Sequence, residues 1–553
     1  MGGVAGTLEL GASIPELGAP ASPPASGAER RSEIRVPDRP RTPAAPWFAL
    51  AATLLAGCAG ADGNPPPAAS QEPTLGESLV ARGQEHELDT VRVPPPGDFI
   101  EHEAAGFAKV LCSAVFLTGL DFEGAQTWIG GFTSRHQYRD RLPGRQLDRE
   151  NGRVHITTDT GVTRTAVLHG DQGCVALLKG EDAPFYETVP VVSTIDESAP
   201  WPMGDAQPDE PLPDDVDAAK VAAAVEAAFE PEAMTLAFVV LHRGRLVAER
   251  YREGIDKDTP LESWSMNKSL SATLMGILIE QGAYTLDQLA PVDSWHEDPD
   301  DVRGTIRIQD ILRMSSGLRC VNAGDPEYDE AAMGYPDHLY LYTGTVNSHL
   351  WATERPPQWP PNTIGRYRNC DPILINHLVR LAVEGRGENY HQFPQQHLFD
   401  RIGVRRFVAE TDPYGNFLLN GYGFGAGRTW ARLGQLYLDD GVSPTGERVL
   451  PEGFVEFVST PAPAWVADGR PIYGGFFWVN QPPRGGNRRY SSLPESAFSM
   501  QGAGGQSTII VPSHEMVVVR LGLYEGSFGG HAGAALQRAL TLLVEAIPVP
   551  VED

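Results

Sequence analysis

The chain has 553 residues, 41% of them hydrophobic and 21% charged, enough apolar material for about two to four packed domains and too much for wholesale disorder. Its 44 Lys+Arg against 72 Asp+Glu leave a net charge of −28, which argues against a surface built for nucleic acid. No apolar run reaches the roughly 18 residues that a membrane-spanning helix needs, so a polytopic membrane protein is excluded as well.

Residues 1–45, rich in Ala, Pro and Gly, read as a disordered extension. Arg39 and Arg41 then precede the apolar stretch 46–57, which ends in small residues at Cys58. A positive flank, a short apolar run and a small-residue end predict a secretory signal. Leu55-Ala56-Gly57-Cys58 resembles the lipobox of bacterial lipoproteins, which implies a lipid on Cys58 and a place in the bacterial cell envelope. The outer membrane is the expected address because Ala59, not an aspartate, follows the cysteine. Membrane contact would run through the lipid alone, and residues 58–95 would form a flexible tether. Four cysteines then remain: Cys112, Cys174, Cys320 and Cys370. An even number in an exported chain suggests two disulfides. Of three pairings, chain order favours Cys112–Cys174 and Cys320–Cys370.

Short β-like runs at 154–157, 164–168 and 175–178, with a helix around 122–132, predict a small α+β domain over 96–203. The acidic, proline-rich stretch 204–217 reads as a linker, with Asp217 placed to cap a helix over 218–229. Residues 235–241 and 246–251 form a hairpin pattern around Gly244. Apolar residues at 266, 270, 274, 277 and 278 predict a helix over 265–281 stopped by Gly282. A further helix is expected at 372–383, and strands at 508–511 and 516–521. Strands at both ends of 218–548, with helices between, imply one antiparallel sheet assembled from distant segments.

The chemistry-bearing pattern is Ser265-Met266-Asn267-Lys268. Residues i and i+3 share a helical face, so hydroxyl and amine come within reach, and the helix start directs N–H groups and the positive dipole end at developing negative charge. A lysine among apolar neighbours loses its charged form more easily and can accept the serine proton. Only five of the 44 cationic residues are lysines, so each is informative; arginine does not deprotonate. Tyr367-Arg368-Asn369 and the glycine cluster 500–506 follow in order. No G-x-S-x-G supports an α/β-hydrolase, and the 14 histidines form no H-E-x-x-H for a metallohydrolase.

With SWSMNKS (263–269), IRIQDILRMSSGL (306–318), YRNCDP (367–372), FSMQGAGGQSTIIVP (498–512) and VVVRLG (517–522), residues 235–525 resemble the serine β-lactamase and penicillin-binding-protein-like superfamily. The resemblance is to its class C-like branch, with 6-aminohexanoate-dimer hydrolases and related esterases. It implies an α+β fold of an antiparallel sheet flanked by helices plus an all-helical region. Ser265 would be the acylated nucleophile and Lys268 its base or proton relay. Tyr367 would activate Ser265 or pass the proton to the leaving group, and Asn369 would hydrogen-bond Lys268 or the substrate amide. The N–H groups of Ser265 and Ala503 would form the oxyanion hole, with Gly502 and Gly504 lining the substrate. The resemblance implies a small-molecule amide or ester substrate and neither metal nor organic cofactor. One departure matters: where a β-lactamase carries K-T-G, this chain reads Met500-Gln501-Gly502 and lacks the cation that helps hold a substrate carboxylate. Arg488, Arg489 and Arg520 are the alternative cations, each expected at the surface. A true β-lactamase, a D-Ala-D-Ala carboxypeptidase and a non-catalytic envelope binding protein of the same fold are the rival readings.

Overall fold

The computed structural model describes residues 34, 73–129, 131, 133–207, 211–523 and 530–549; the signal at 46–57 and Cys58 lie outside them. Helix α1 (Leu75–His86) opens on a capping box between Thr74 and Glu77. From Pro73 onward the expected tether is therefore ordered. Arg82 donates to Asp468 and to the Thr363 carbonyl at 2.9 Å each, and Trp359 donates to the Gly83 carbonyl at 2.8 Å. These partners lie hundreds of residues away, and no local pattern announces them.

Helices α2 (Phe99–Ser113) and α3 (Phe122–Trp128) begin at Asp98 and Asp121, whose carboxylates accept backbone N–H groups. Strands β1 (Gly144–Asp148), β2 (Arg153–Thr157), β3 (Thr163–Leu168) and β4 (Cys174–Ala176) form an antiparallel sheet in chain order. Phe107 and Leu111 of α2 are buried in one cluster with Val154, Ile156 and Ala166 of that sheet. The Cys112–Cys174 disulfide joins α2 to β4 with a Cα–Cα distance of 6.0 Å. At Gly106 a Cβ would lie 2.6 Å from Thr343 Cγ2 and 2.8 Å from the Thr133 carbonyl oxygen, so this helix approaches the rest of the molecule as only glycine allows. Helix α2 is covered almost all round, its polar residues His102, Glu103 and Lys109 included.

Helix α4 (Ala218–Ala228) starts at Asp217, whose side chain accepts from the N–H groups of Ala219 and Lys220 at 3.0 and 3.1 Å. Strands β5 (Thr235–His242) and β6 (Arg245–Tyr251) turn through Arg243 and Gly244, both at positive φ (49° and 72°). Strand β7 (Leu261–Glu262) leads into helix α5 (Met266–Glu280), and β8 (Val408–Ala409) and β9 (Gly423–Gly425) complete a small sheet in the order β7-β9-β8. The chain closes with β10 (Trp478–Val479), β11 (Phe498–Gly502), β12 (Gln506–Val511) and β13 (Met516–Gly522). Together with β5 and β6 they form an antiparallel sheet in the order β10-β11-β12-β13-β5-β6, Val519 facing Val239.

Alternation sorts this sheet's side chains to two covered faces. Phe238, Val240 and Val518 pack with Ala224 of α4 and Leu540 of the terminal helix Gly530–Ala546. Val239, Val517 and Val519 pack on the opposite face with Leu270 of α5 and with Trp430 and Leu433 of the helix Gly427–Leu438. All eight residues of β5 are accordingly buried. Among the described residues no helix is long and apolar enough to cross a membrane.

Candidate active site

Helix α5 carries more than the expected stripe, for it is buried all round from Met266 to Leu278. Two of its polar residues are satisfied by the surrounding chain: Ser269 donates to the Phe476 carbonyl at 2.7 Å, and Thr273 lies 2.9 Å from the Tyr437 hydroxyl. Ser265 immediately precedes the helix and is half-buried between buried neighbours. Trp264, just before it, holds a left-handed backbone (φ 47°), a costly conformation for a bulky residue. Its buried indole is held by Tyr342 and Tyr422, with ring centroids 6.2 and 6.0 Å away. The strained turn thus sits where packing can sustain it.

Lys268 Nζ lies 2.8 Å from Ser265 Oγ and 2.5 Å from the Asn420 carbonyl oxygen. The residue is 1% exposed. Burial alone pushes its ammonium well below the ordinary lysine value. Its described polar partners are a hydroxyl and a carbonyl, and neither is a carboxylate that would hold the charge. Tyr367 covers it, the ring centroid 4.9 Å from Nζ. The Tyr367 hydroxyl comes within reach of the Ser265 side chain, and burial raises it well above the ordinary phenol value. Ser265, Lys268 and Tyr367 are therefore brought together.

The segment bearing Tyr367 is fixed from several directions. Asn322 donates to the Tyr367 carbonyl at 2.6 Å, and Arg368 donates to the Leu318 carbonyl at 2.8 Å and to Gln358 at 2.9 Å. Cys370, which opens the helix Cys370–Gly385, is disulfide-bonded to Cys320 with a Cα–Cα distance of 6.1 Å. Tyr473 and Trp478 wall the Tyr367 ring at 5.7 and 5.2 Å. Asn369 departs from one expectation. Its amide donates to the His338 carbonyl at 2.6 Å, and the polar partner expected of it at Lys268 is instead the Asn420 carbonyl.

Tyr342 and Asn420 went unnoticed in the sequence. The Tyr342 hydroxyl donates to the Asn420 carbonyl at 2.8 Å and also reaches the side chains of Ser265 and Asn369; burial raises it too. Asn420 contributes a backbone oxygen, which has no side-chain signature, and Tyr342 lies in a short helix, Asp337–Thr343, without a motif.

At Gly502 a Cβ would lie 2.2 Å from the Ser263 carbonyl oxygen and 3.1 Å from Trp264 Cβ. The end of β11, and Ala503 after it, is thereby pressed against the turn that presents Ser265. The Ser265 N–H donates to no backbone acceptor among the described residues. Gly504 adopts φ 77°, and its carbonyl accepts from Arg520 at 2.7 Å. Arg520 is buried, against expectation, because its guanidinium is taken up by Gly504, Thr235 and Ala233. At the K-T-G position Met500 is buried in the core and Gln501 donates to Ser499 at 2.7 Å. Arg488 is half-buried; Arg489 is exposed at the rim, 6.0 Å from the Trp478 ring centroid. Both cysteine pairs favoured by chain order are bonded.

Glu197, Asp205 and Asp258 form a carboxylate cluster of metal-ligand proximity among the described residues. Lys257 already sits on all three at 2.6, 2.9 and 2.9 Å, which makes it an ion-pair network.

The family model described as Beta-lactamase matches residues 221–542. A 6-aminohexanoate-dimer hydrolase of Paenarthrobacter ureafaciens is 27% identical over 241 residues, 41% of this chain and 57% of that protein. The chain thus spans little more than half the length of that curated relative. Among solved structures, a candidate 6-aminohexanoate-dimer hydrolase from Bacillus anthracis aligns with a TM-score of 0.47 at 21% identity, over 57% of this chain and 81% of that one. A family VIII carboxylesterase aligns with a TM-score of 0.45 at 16% identity, over 60% and 98%. Because the matched stretch is more than half of its length, the chain belongs to the beta-lactamase family.

Proposed function

We propose that the protein is a serine hydrolase of class C-like type that opens amide or ester bonds of small molecules or short oligomers through an acyl-enzyme. The observation that carries this reading is Lys268: a buried amine without a carboxylate partner, 2.8 Å from Ser265 Oγ. The 6-aminohexanoate-dimer hydrolase and carboxylesterase relatives suggest the substrate class.

In the reaction Ser265 Oγ attacks the substrate carbonyl while the neutral Lys268 amine takes the hydroxyl proton. The developing oxyanion is held by the N–H groups of Ser265 and Ala503. The Tyr367 phenol, kept neutral by its burial, passes a proton from Lys268 to the departing amine or alcohol, and the acyl group remains on Ser265. Water then attacks the ester, delivering its proton to the same relay and releasing the acid. Tyr342 and the Asn420 carbonyl hold Lys268 and Ser265 in register. The absence of a cation at Met500-Gln501 favours substrates without an obligatory carboxylate there, over β-lactams or D-Ala-D-Ala peptides. By the lipobox reading, Cys58 carries lipid and anchors the enzyme in the cell envelope; radiolabelled palmitate should enter the wild type and not Cys58→Ala.

The test of the reaction is a panel of p-nitrophenyl esters, an aminohexanoate dimer and a chromogenic cephalosporin. Turnover of an ester or the dimer by wild type, lost in Ser265→Ala, is the expected result. Turnover surviving in Ser265→Ala would overturn the assignment.

A further inference from the structure

Residues 73–203 supply none of Ser265, Lys268 and Tyr367 and lie outside the stretch shared with the family. One of their side chains nevertheless reaches the residue that opens the loop bearing Asn420. Lys109 of α2 is 1% exposed. Its Nζ donates to Glu410 Oε2 at 2.8 Å and to the Cys174 carbonyl at 2.5 Å, and stands 4.3 Å from the Tyr422 ring centroid. The other Glu410 oxygen accepts from Ser113 Oγ at 2.8 Å and from the Cys174 N–H at 2.6 Å. At Gly173 a Cβ would lie 2.7 Å from that same oxygen. The Glu410 carboxylate is thus gripped by residues from α2 and β4.

Glu410 in turn opens the loop that returns at Tyr422. Its N–H donates to the Tyr422 carbonyl at 3.0 Å, and its carbonyl accepts from the Leu418 N–H at 2.9 Å. Asn420 lies inside that closed loop, and its carbonyl is the oxygen that receives both Lys268 Nζ and the Tyr342 hydroxyl. Tyr422, whose ring faces Lys109, donates its hydroxyl to the Tyr342 carbonyl at 3.2 Å.

We infer that Lys109, with Ser113 and Cys174, is a positioning residue for catalysis: by anchoring Glu410 it fixes the Asn420 carbonyl that aims the Lys268 amine at Ser265. This gives the N-terminal layer a catalytic purpose, and it rests on the serine-hydrolase reading above. A displacement of the carbonyl by about an ångström would take the amine out of line with the hydroxyl it must deprotonate.

The experiment measures kcat and KM for p-nitrophenyl butyrate on the full chain of wild type, Ser265→Ala, Ser113→Ala and the double variant Lys109→Met/Glu410→Gln. The double variant removes both members of the pair together, so Glu410 is not left as a buried charge without its cation, while the amide oxygen introduced by Glu410→Gln remains an acceptor for Ser113 and Cys174. Its kcat is expected to fall about tenfold or more with KM within about twofold, since substrate binding is untouched and proton transfer is not. Ser113→Ala, which spares the ion pair and settles the matter should the double variant not fold, is expected to lose about two- to fivefold in kcat alone. A kcat within about twofold of wild type in the folded double variant, an unchanged kcat in Ser113→Ala, or KM moving as far as kcat would overturn the inference. Wild type without Ser265-dependent turnover would instead remove the serine-hydrolase reading, and this inference with it.

Discussion

Two lysines in this molecule are equally buried, each 1% exposed, and they have been put to opposite uses. Lys109 faces Glu410 at 2.8 Å, with Glu262 and Asp412 also acting on it. Lys268 faces a hydroxyl and a carbonyl. Burial pulls both ammonium groups down; at Lys109 the carboxylates pull back, whereas at Lys268 no opposing charge is at work. At equal depth it is the partner, a carboxylate or a hydroxyl, that distinguishes the two lysines. The linkage sign follows. Because the Lys268 value is lowered in the folded protein, the unfolded chain binds more protons between that lowered value and the ordinary lysine value. Its cost to stability is full below that window, shrinks as pH rises through it and vanishes above. The same sign holds at Lys109, whose value is also lowered, but there the carboxylates offset part of the burial.

Breaking the comparison begins with the largest effect. Ser265→Ala removes the group that Lys268 serves, and kcat should fall on the order of 10⁴-fold or more, with the melting temperature unchanged. Lys268→Met should lose on the order of 10²–10⁴ in kcat while unfolding at the same temperature or higher. Wild type should also lose activity as pH falls and the amine is protonated, a limb measurable in the pH–rate profile. Lys109→Met alone should do the reverse of Lys268→Met in urea unfolding, costing about 3–5 kcal/mol because Glu410 is left buried without its cation. If the two methionine variants lose stability equally, the contrast between them is void. Tyr367→Phe is the mildest: about 10- to 100-fold in kcat with little change in stability, since the ring keeps its packing on Tyr473 and Trp478 and loses only the relaying hydroxyl.

Much of this was legible in sequence because the relevant interactions are local. Ser265 and Lys268 are one helical turn apart, Asp217 caps within three residues, and Gly244 marks a two-residue turn. The sheet built from both ends of the catalytic region followed from strands flanking helices, and the disulfides from cysteine order. What stayed hidden depends on tertiary neighbours. The Asn420 carbonyl works through a backbone atom that any residue could supply. The burial of the polar side of helix α2, Lys109 included, depends on partners far along the chain, and the strap from Pro73 is held by Asp468, Thr363 and Trp359 across the chain. The Asn369 amide N–H bonds the His338 carbonyl, and the oxygen that Lys268 uses comes from a loop the Tyr-Arg-Asn motif does not contain.

The most direct measurement is the site of covalent capture. Folded protein treated with a fluorophosphonate, digested and mapped by mass spectrometry should carry one adduct, on Ser265, forming more slowly as the buffer is made acidic. An adduct on any other residue, or an unmodified Ser265 in folded protein, would contradict the account.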